Sequence, residues 1–172
     1  MGDDDYDIKQ HLDLVKPWSN DLTEFLARYY TLHYHRDLDN KIYVRQAPNK
    51  VCILGITEQH PAILTNKEQS LKLEATLGSN ANVKPDTVLC EIVSGDARYA
   101  IKANMYGKLL EINPRILESS ELLLNKPETE GYLAVIKSQY EDTAKQLEAF
   151  TSAGDTTTTT TTAAAAAAAA TS

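Results

Sequence analysis

The stretch 88–136 decides the fold, and at its centre stands Gly107-Lys-Leu-Leu-Glu-Ile-Asn-Pro114. Upstream of it, Val88–Val93 is apolar and rich in β-branched residues, which favours a strand. Ser94-Gly-Asp96 supplies turn residues, and Tyr99–Ala103 resumes a strand-like run. These residues predict a β-hairpin that leads into the central motif.

The residues that follow predict a strand, a break, a short helix and one more strand. We expect Gly107 to adopt a positive φ and Leu109–Ile112 to continue as a strand. The strand should end at Asn113-Pro114, because proline has no N–H to donate and restricts the residue before it. Leu122–Leu124 predicts the short helix, and a β-branched strand should begin directly after Gly131.

This order of elements resembles a lipoyl/biotinyl-type domain, specifically the glycine-cleavage H-protein. The resemblance implies a mainly β fold of the barrel-sandwich hybrid type. In carriers of this family, the lysine that bears the lipoyl group lies at the tip of a hairpin. Asp96 occupies the corresponding position here, and the nearest lysine, Lys102, should lie along the strand. We therefore expect a carrier-shaped domain without a cofactor; a lipoylated or biotinylated carrier is the alternative.

The first half of the chain predicts a short helix followed by strands. Apolar residues at helical spacing favour a helix over 22–30 that packs on the barrel. Strand-like runs follow at 30–35, 41–46, 51–57 and 70–76. Gly55 within the third run suggests a bulge or the close approach of another backbone. One internal echo supports a two-fold barrel: an apolar strand precedes His60-Pro61, and another precedes Asn113-Pro114.

Composition divides the chain into three parts. Residues 1–17 are predicted to be a mobile acidic N-terminus, and Pro17 should interrupt any helix there. Residues 18–150 form the predicted domain, which ends in a weakly amphipathic helix within 138–150. Residues 151–172 contain seven threonines followed by eight alanines. Such a tract buries no amphipathic face, so this tail is predicted to be disordered.

The charge balance narrows the range of partners. The chain has 24 Asp and Glu residues against 17 Lys and Arg residues, a formal net charge of −7. Direct nucleic-acid binding or attraction to an anionic membrane needs clustered positive charge, so neither is expected. No apolar run in the sequence approaches the roughly 20 residues that span a bilayer.

The sequence offers no arrangement typical of an enzyme or a metal site. Cys52 and Cys90 both lie in apolar strand-like runs, which predicts reduced core thiols. His33 and His35 could chelate a metal from one strand face, but no further ligand follows at zinc-site spacing. No Gly-x-Ser-x-Gly or phosphate-binding loop is present, and Ser94 belongs to a turn. We expect no catalytic residue, no metal and no cofactor.

Several longer segments are similar to the Abitram family, the actin-binding transcription modulators also called Simiate. They are Arg28-Tyr-Tyr-Thr31, Asn49-Lys-Val-Cys52, Glu58-Gln-His-Pro61 and the block from Gly107 to Ile136. Within that block the most extended match is Asn125-Lys-Pro-Glu-Thr-Glu-Gly-Tyr-Leu-Ala-Val135. The resemblance covers roughly residues 26 to 137.

The resemblance implies a non-enzymatic protein that binds actin, as monomer or filament. It implies control of filament turnover and of cell-process or dendrite shape, with a nuclear, speckle-associated role in transcription beside the cytoplasmic one. Actin is acidic, so Arg98, Lys102 and Lys108, which could share a neighbourhood on the hairpin, are candidate contacts. An adaptor that binds another protein through a strand edge remains the alternative.

Overall fold

The computed structural model describes residues 8–20, 22–37, 40–65 and 71–154. The strands are β1 Thr31–His35, β2 Ile42–Gln46, β3 Val51–Ile56, β4 Lys72–Ala75, β5 Asn82–Val83, β6 Val88–Ser94, β7 Ala97–Lys102, β8 Gly107–Ile112, β9 Ala134–Ser138 and β10 Phe150–Ser152. The helices are α1 Ile8–Asn20, α2 Thr23–Tyr29, α3 Pro61–Leu64, α4 Pro114–Glu118, α5 Glu121–Asn125 and α6 Thr143–Gln146.

Two antiparallel sheets enclose the hydrophobic core. The larger sheet has the strand order β10-β1-β2-β3-β9-β8-β5, and the smaller sheet has the order β4-β6-β7. Buried side chains of both sheets and of the short helices form one cluster, which includes Val44, Leu54, Leu109 and Ile136 from the larger sheet, Leu73, Cys90, Ile92 and Ile101 from the smaller sheet, and Ile63, Ile116 and Leu123 from α3, α4 and α5. The predicted mainly β fold class is confirmed.

The predicted conformation of Gly107 is wrong, although the glycine is required. Gly107 is the first residue of β8, lies between Val83 and Ser138 in the sheet, and has no positive φ. A Cβ atom at this position would lie 2.4 Å from the backbone oxygen of Lys137. Gly107 therefore serves the close approach of β8 and β9 rather than a left-handed turn.

Gly55 makes a similar close approach, in this case to a side chain. It lies directly opposite Tyr43 in the register of β2 and β3, and that register shows no bulge. A Cβ atom on Gly55 would lie 2.5 Å from the Tyr43 hydroxyl oxygen. The neighbour predicted from the sequence was a backbone; the structure places an aromatic ring there.

The sequence echo between the two halves corresponds to a repeated helix cap. Before α3, the Ala62 N–H donates to Nδ1 of His60 at 3.1 Å. Before α4, the Arg115 N–H donates to Oδ1 of Asn113, also at 3.1 Å. In each case a proline occupies the first helical position, where its missing N–H removes no helical hydrogen bond. Helices α3 and α4 thus both begin with a side-chain N-cap followed by proline. The capping group is an imidazole before α3 and an amide before α4.

The His60 cap should make the fold sensitive to acid. His60 is 7% exposed, and burial lowers its pKa from 6.5 to about 4. Between these two values the unfolded chain binds a proton at this side chain and the folded chain does not. The stabilisation is therefore complete above pH 6.5 and is lost as the pH falls toward 4, by roughly 2 to 3 kcal/mol.

The variant H60N tests this prediction, because Asn113 shows that asparagine can serve the same cap. Unfolding free energies of wild type and H60N should be measured by urea denaturation at several pH values. We expect their difference to shift against the wild type by roughly 2 kcal/mol between pH 7 and about pH 4.5. A difference that stays constant over this range would show that the cap does not titrate there.

The two ends of the domain differ from the expectation. The predicted break at Pro17 is wrong: α1 runs through it to Asn20. Pro17 has no N–H to donate to the carbonyl of Asp13, an exposed residue one turn earlier in α1. At the other end the predicted helix is a single turn, capped by Asp142, and a strand to Ser152 follows. Residues 1–7 and the predicted tail from 155 lie outside the described residues.

Candidate functional site

The carrier-like hairpin is formed by β6 and β7, which are joined by the two-residue turn Gly95-Asp96. Gly95 has a φ of 57°, which the first central residue of a type II′ turn requires. Asp96 is exposed in this turn. Lys102 is the last residue of β7 and pairs with Val88, so it lies at the opposite end of the hairpin. The tip thus presents a carboxylate.

Arg98 lies next to the tip, but its charge is matched within the smaller sheet. Its guanidinium donates to Glu91 at 3.0 Å and to Glu74 at 3.1 Å, and these carboxylates raise the pKa of Arg98. Hydrogen bonds from Lys72 and Arg98 lower the pKa of Glu74 in turn. All four side chains are exposed to solvent to some degree, so we assign the cluster little stability. A reversal of the Arg98 charge would place three carboxylates together.

The predicted trio of cations is divided between the two sheets. Arg98 and Lys102 alternate with Tyr99 and Ile101 along β7, so both extend from the outer face of the smaller sheet. The ammonium of Lys102 lies 4.0 Å from Asp86. Lys108 belongs to β8, in the larger sheet. The structure therefore places two of the three predicted residues on one face of the smaller sheet, towards opposite ends of β7, and the third in the other sheet.

Lys108 instead borders an open groove of about 450 Å³ at the β5 end of the larger sheet. We call it the lysine groove; the residues that line it include Lys84, Tyr106, Lys108, Lys137 and Tyr140. Lys108 lies directly opposite Asn82 on one neighbouring strand and Lys137 on the other. Directly opposed residues project from the same face of a sheet, so the Lys108 and Lys137 side chains leave β8 and β9 side by side.

Sequence reasoning missed Lys84 and Lys137 as members of this group. Lys137 ends an apolar strand and Lys84 opens the hairpin region, and nothing in their spacing relates either to Lys108. The pairing register of β8 and β9 creates the group. The sequence alone does not reveal this group, because a shift of the register by one residue would turn Lys137 to the opposite face of the sheet.

The segment Asn125–Val135, the most extended part of the Abitram resemblance, forms a network of buried polar contacts. The side-chain amide of Asn113 donates to the backbone oxygens of Glu130 and Tyr132, at 3.0 and 2.9 Å. The hydroxyl of Tyr43 donates to the backbone oxygen of Pro127 at 2.9 Å. The motif therefore fixes a loop against the larger sheet, and its role is structural.

Both cysteines, together with His33 and His35, are packed against other parts of the structure. Cys52 and Cys90 are buried free thiols, and burial raises their pKa to about 11 and about 12. His33 is 8% exposed, and the His35 ring packs edge-on against Phe150. Within the described ranges no group of three His, Cys, Asp or Glu side chains is arranged to hold a metal ion.

The fold and the hairpin together define a protein of the H-protein class. The family model described as glycine cleavage H-protein matches residues 28–161. Among solved structures, the crystal structure of a glycine cleavage system H protein from Mycobacterium marinum superposes with a TM-score of 0.54 at 14% identity, covering 73% of this chain and 92% of that chain. At this identity the likeness concerns the fold.

Curated relatives identify a narrower family than the H-protein domain does. Protein Abitram of Xenopus tropicalis is 31% identical over 157 residues, which cover 77% of this chain and 85% of the relative. Protein Abitram of Gallus gallus is 29% identical (68% and 79% covered), and that of Homo sapiens is 26% identical (67% and 75% covered). The chain therefore belongs to the glycine cleavage H-protein domain family and, within it, to the Abitram proteins.

Proposed function

We propose that this protein binds actin without catalysing a reaction, modulates the assembly and turnover of actin filaments, and thereby affects the shape of cell processes such as dendrites. A second role, in transcription, would place it in nuclear speckles as well as in the cytoplasm and actin-rich projections. The observation that carries the proposal is the similarity of most of this chain to Abitram proteins. The resemblance to that family implies that the protein binds actin.

The chemistry of the described residues supports a binding role rather than a catalytic one. With pKa values of about 11 and 12, the thiols of Cys52 and Cys90 stay protonated at neutral pH and are poor nucleophiles. The imidazole of His60 is engaged in a helix cap. At the hairpin tip, Asp96 offers a carboxylate where a carrier needs a lysine amine to attach its cofactor.

Charge and hydropathy support the choice of a protein partner. With a formal net charge of −7, the chain as a whole repels nucleic acid and anionic lipid. None of the helices in the described ranges combines the length and the apolar character needed to cross a membrane. A local basic surface on this acidic protein can still meet an acidic protein partner, because charges beyond about 8–10 Å are screened at physiological salt.

Co-sedimentation of the full chain with purified actin filaments tests the proposal. We expect the pelleted fraction to rise with filament concentration and to fall as salt is added, while the protein alone stays in the supernatant. Titration against labelled monomeric actin covers the other form of the partner. A folded protein that binds neither form at low salt would contradict the proposal and favour an adaptor for another protein.

A mass measurement tests the alternative that the protein is a lipoylated or biotinylated carrier. Intact-mass measurement of the protein purified from its native source should give the mass of the unmodified chain. A shift equal to a lipoyl or biotinyl group would contradict the proposal. The modified lysine would then have to be mapped, because the hairpin turn holds Asp96.

The predicted contacts differ in their value as probes. Charge reversal at Arg98 would confound binding with the loss of its bonds to Glu74 and Glu91. Lys102 and Lys108 are exposed at the ends of their strands and can be reversed with less structural consequence. We therefore propose K102E and K108E as the variants for the actin assay.

A further inference from the structure

The lysine groove gathers three cations, and no Asp or Glu is among the described residues that line it. Six other cations lie within 4.0 Å of a carboxylate: Lys16, Lys72, Arg98, Lys102, Arg115 and Lys126. For Lys84, Lys108 and Lys137 no such carboxylate is found among the residues that the structure describes. All three ammonium groups are exposed.

The pairing of two of these lysines is unfavourable for folding alone. Lys108 and Lys137 lie directly opposite each other on β8 and β9, and like charges at such positions destabilise a sheet. Elsewhere in this chain an arginine between strands is met by two carboxylates, as at Arg98. A cross-strand lysine pair that costs stability gains a physical reason if an anionic group binds between the two ammonium groups.

The walls of the groove limit the kind of anion. Tyr106 and Tyr140 lie in an edge-to-face arrangement, with ring centroids 6.0 Å apart, and give the groove an aromatic side. The Lys145 ammonium lies 4.3 Å from the centre of the Tyr140 ring. The groove is open to solvent and about 450 Å³ in volume, large enough for several residues of an extended chain.

Two other classes of ligand fit less well. A single small anion is usually held by converging backbone N–H groups or a helix N-terminus, whereas this groove is bordered by strands and exposed lysine side chains. A nucleic acid carries charge along its whole length and would meet the net charge of −7 on the rest of the chain. A short acidic stretch of a polypeptide meets only the local field of the groove.

We propose that the lysine groove binds an acidic segment of a polypeptide, with carboxylates on Lys84, Lys108 and Lys137 and an apolar side chain of the segment against Tyr106 and Tyr140. The inference rests on the proposed function in that the partner is a protein. It adds the surface and the chemistry of the segment, and it places Lys108, rather than Arg98 or Lys102, at the interface.

The test uses the full chain and a fluorescein-labelled peptide of about ten residues, rich in glutamate with one central leucine. We expect its fluorescence anisotropy to rise on titration with wild-type protein, and this binding to weaken as ionic strength increases. The double variant K108E/K137E should bind at least about tenfold more weakly, because attraction is replaced by repulsion. The matched control is K9E/K16E, which makes the same charge change at two exposed residues of α1 that do not line the groove, and it should bind like the wild type.

Further arms identify the ligand. A peptide with glutamine in place of glutamate should not bind. Tighter binding of a single-stranded oligonucleotide of equal charge, or displacement of the peptide by millimolar inorganic phosphate, would overturn the proposal in favour of a nucleic acid or a simple anion. Equal loss of binding in both double variants would also overturn it, since only net charge would then matter.

The double variants in the actin assay separate the two proposals. If K108E/K137E loses actin binding and the control double variant keeps it, the result supports both actin as the partner and the groove as the interface. Actin binding that survives in K108E/K137E overturns the groove as the interface and leaves the proposed function intact. Peptide binding that depends on the groove, without any actin binding, overturns actin as the partner and leaves the groove intact.

Discussion

Replacement of Asn113 by aspartate is expected to lower the free energy of unfolding by about 3 to 5 kcal/mol. Asn113 is fully buried, and its amide nitrogen donates to the backbone oxygens of Glu130 and Tyr132. Its Oδ1 accepts the N–H of Arg115. Aspartate has nearly the same shape, but an ionised carboxylate can donate to neither carbonyl, so both backbone oxygens would lose their donor and face a buried charge.

The variant N49D is the matched control. Asn49 is exposed and uses its side-chain oxygen to accept the Val51 N–H at 3.2 Å, a bond that aspartate keeps. Urea denaturation at pH 7 should show a change within about 0.5 kcal/mol for N49D. The loss in N113D should shrink at lower pH, because a protonated carboxyl regains one donor. If N113D is as stable as N49D, the amide does not hold the loop.

Replacement of Gly107 by alanine is expected to cost about 3 kcal/mol or more, or to prevent folding. The new Cβ would lie 2.4 Å from the backbone oxygen of Lys137 and 2.8 Å from Cγ2 of Ile136. The nearer obstacle is the backbone of a paired strand, so relief requires β8 and β9 to separate locally. Those two strands lie next to each other in the larger sheet.

Gly78 provides the control for this substitution. A Cβ atom there would meet nothing within 4 Å, and Gly78 has no positive φ. G78A should therefore unfold within about 0.5 kcal/mol of the wild type, as judged by thermal and urea denaturation. Equal stability of G107A and G78A would show that the strands can accommodate the methyl group without loss.

The β-hairpins were predictable because their signals are local. Alternating apolar residues and the turn at Gly95-Asp96 lie within a few positions of one another, so the sequence alone indicates both strands and their connection. The sequence indicated that a glycine is needed at position 107, but it did not indicate why. Whether a glycine serves a turn or a close approach depends on a strand that lies some thirty residues further along.

The candidate surface was harder to predict, because nearness along the chain differs from nearness in space. Lys102 and Lys108 are six positions apart, but the chain crosses between the two sheets through the buried residues Ala103 and Met105. Arg98 looked available and is matched by carboxylates from two strands. Cross-strand neighbours depend on register, and register is set by the packing of the whole core.

The resemblance to a known family depended on residues that hold the fold. The segment from Asn125 to Val135 carries the most extended match, and its backbone oxygens accept hydrogen bonds from Tyr43 and Asn113. Gly131 within it leaves no room for a Cβ, which would lie 2.5 Å from the Leu122 oxygen. Residues of this kind identify a family reliably and say little about the surface that its members use.

The position of β9 has a consequence for synthesis on the ribosome. β9 lies between β3 and β8, so the apolar strand Val51–Ile56 emerges long before the strand that covers its edge. At 5–20 residues per second, residues 57–133 take roughly 4 to 15 seconds to be made. During that interval the edge of β3 is open to mispairing with other nascent chains. The arrival of residues 134–138 ends this vulnerable period and joins the two halves of the larger sheet.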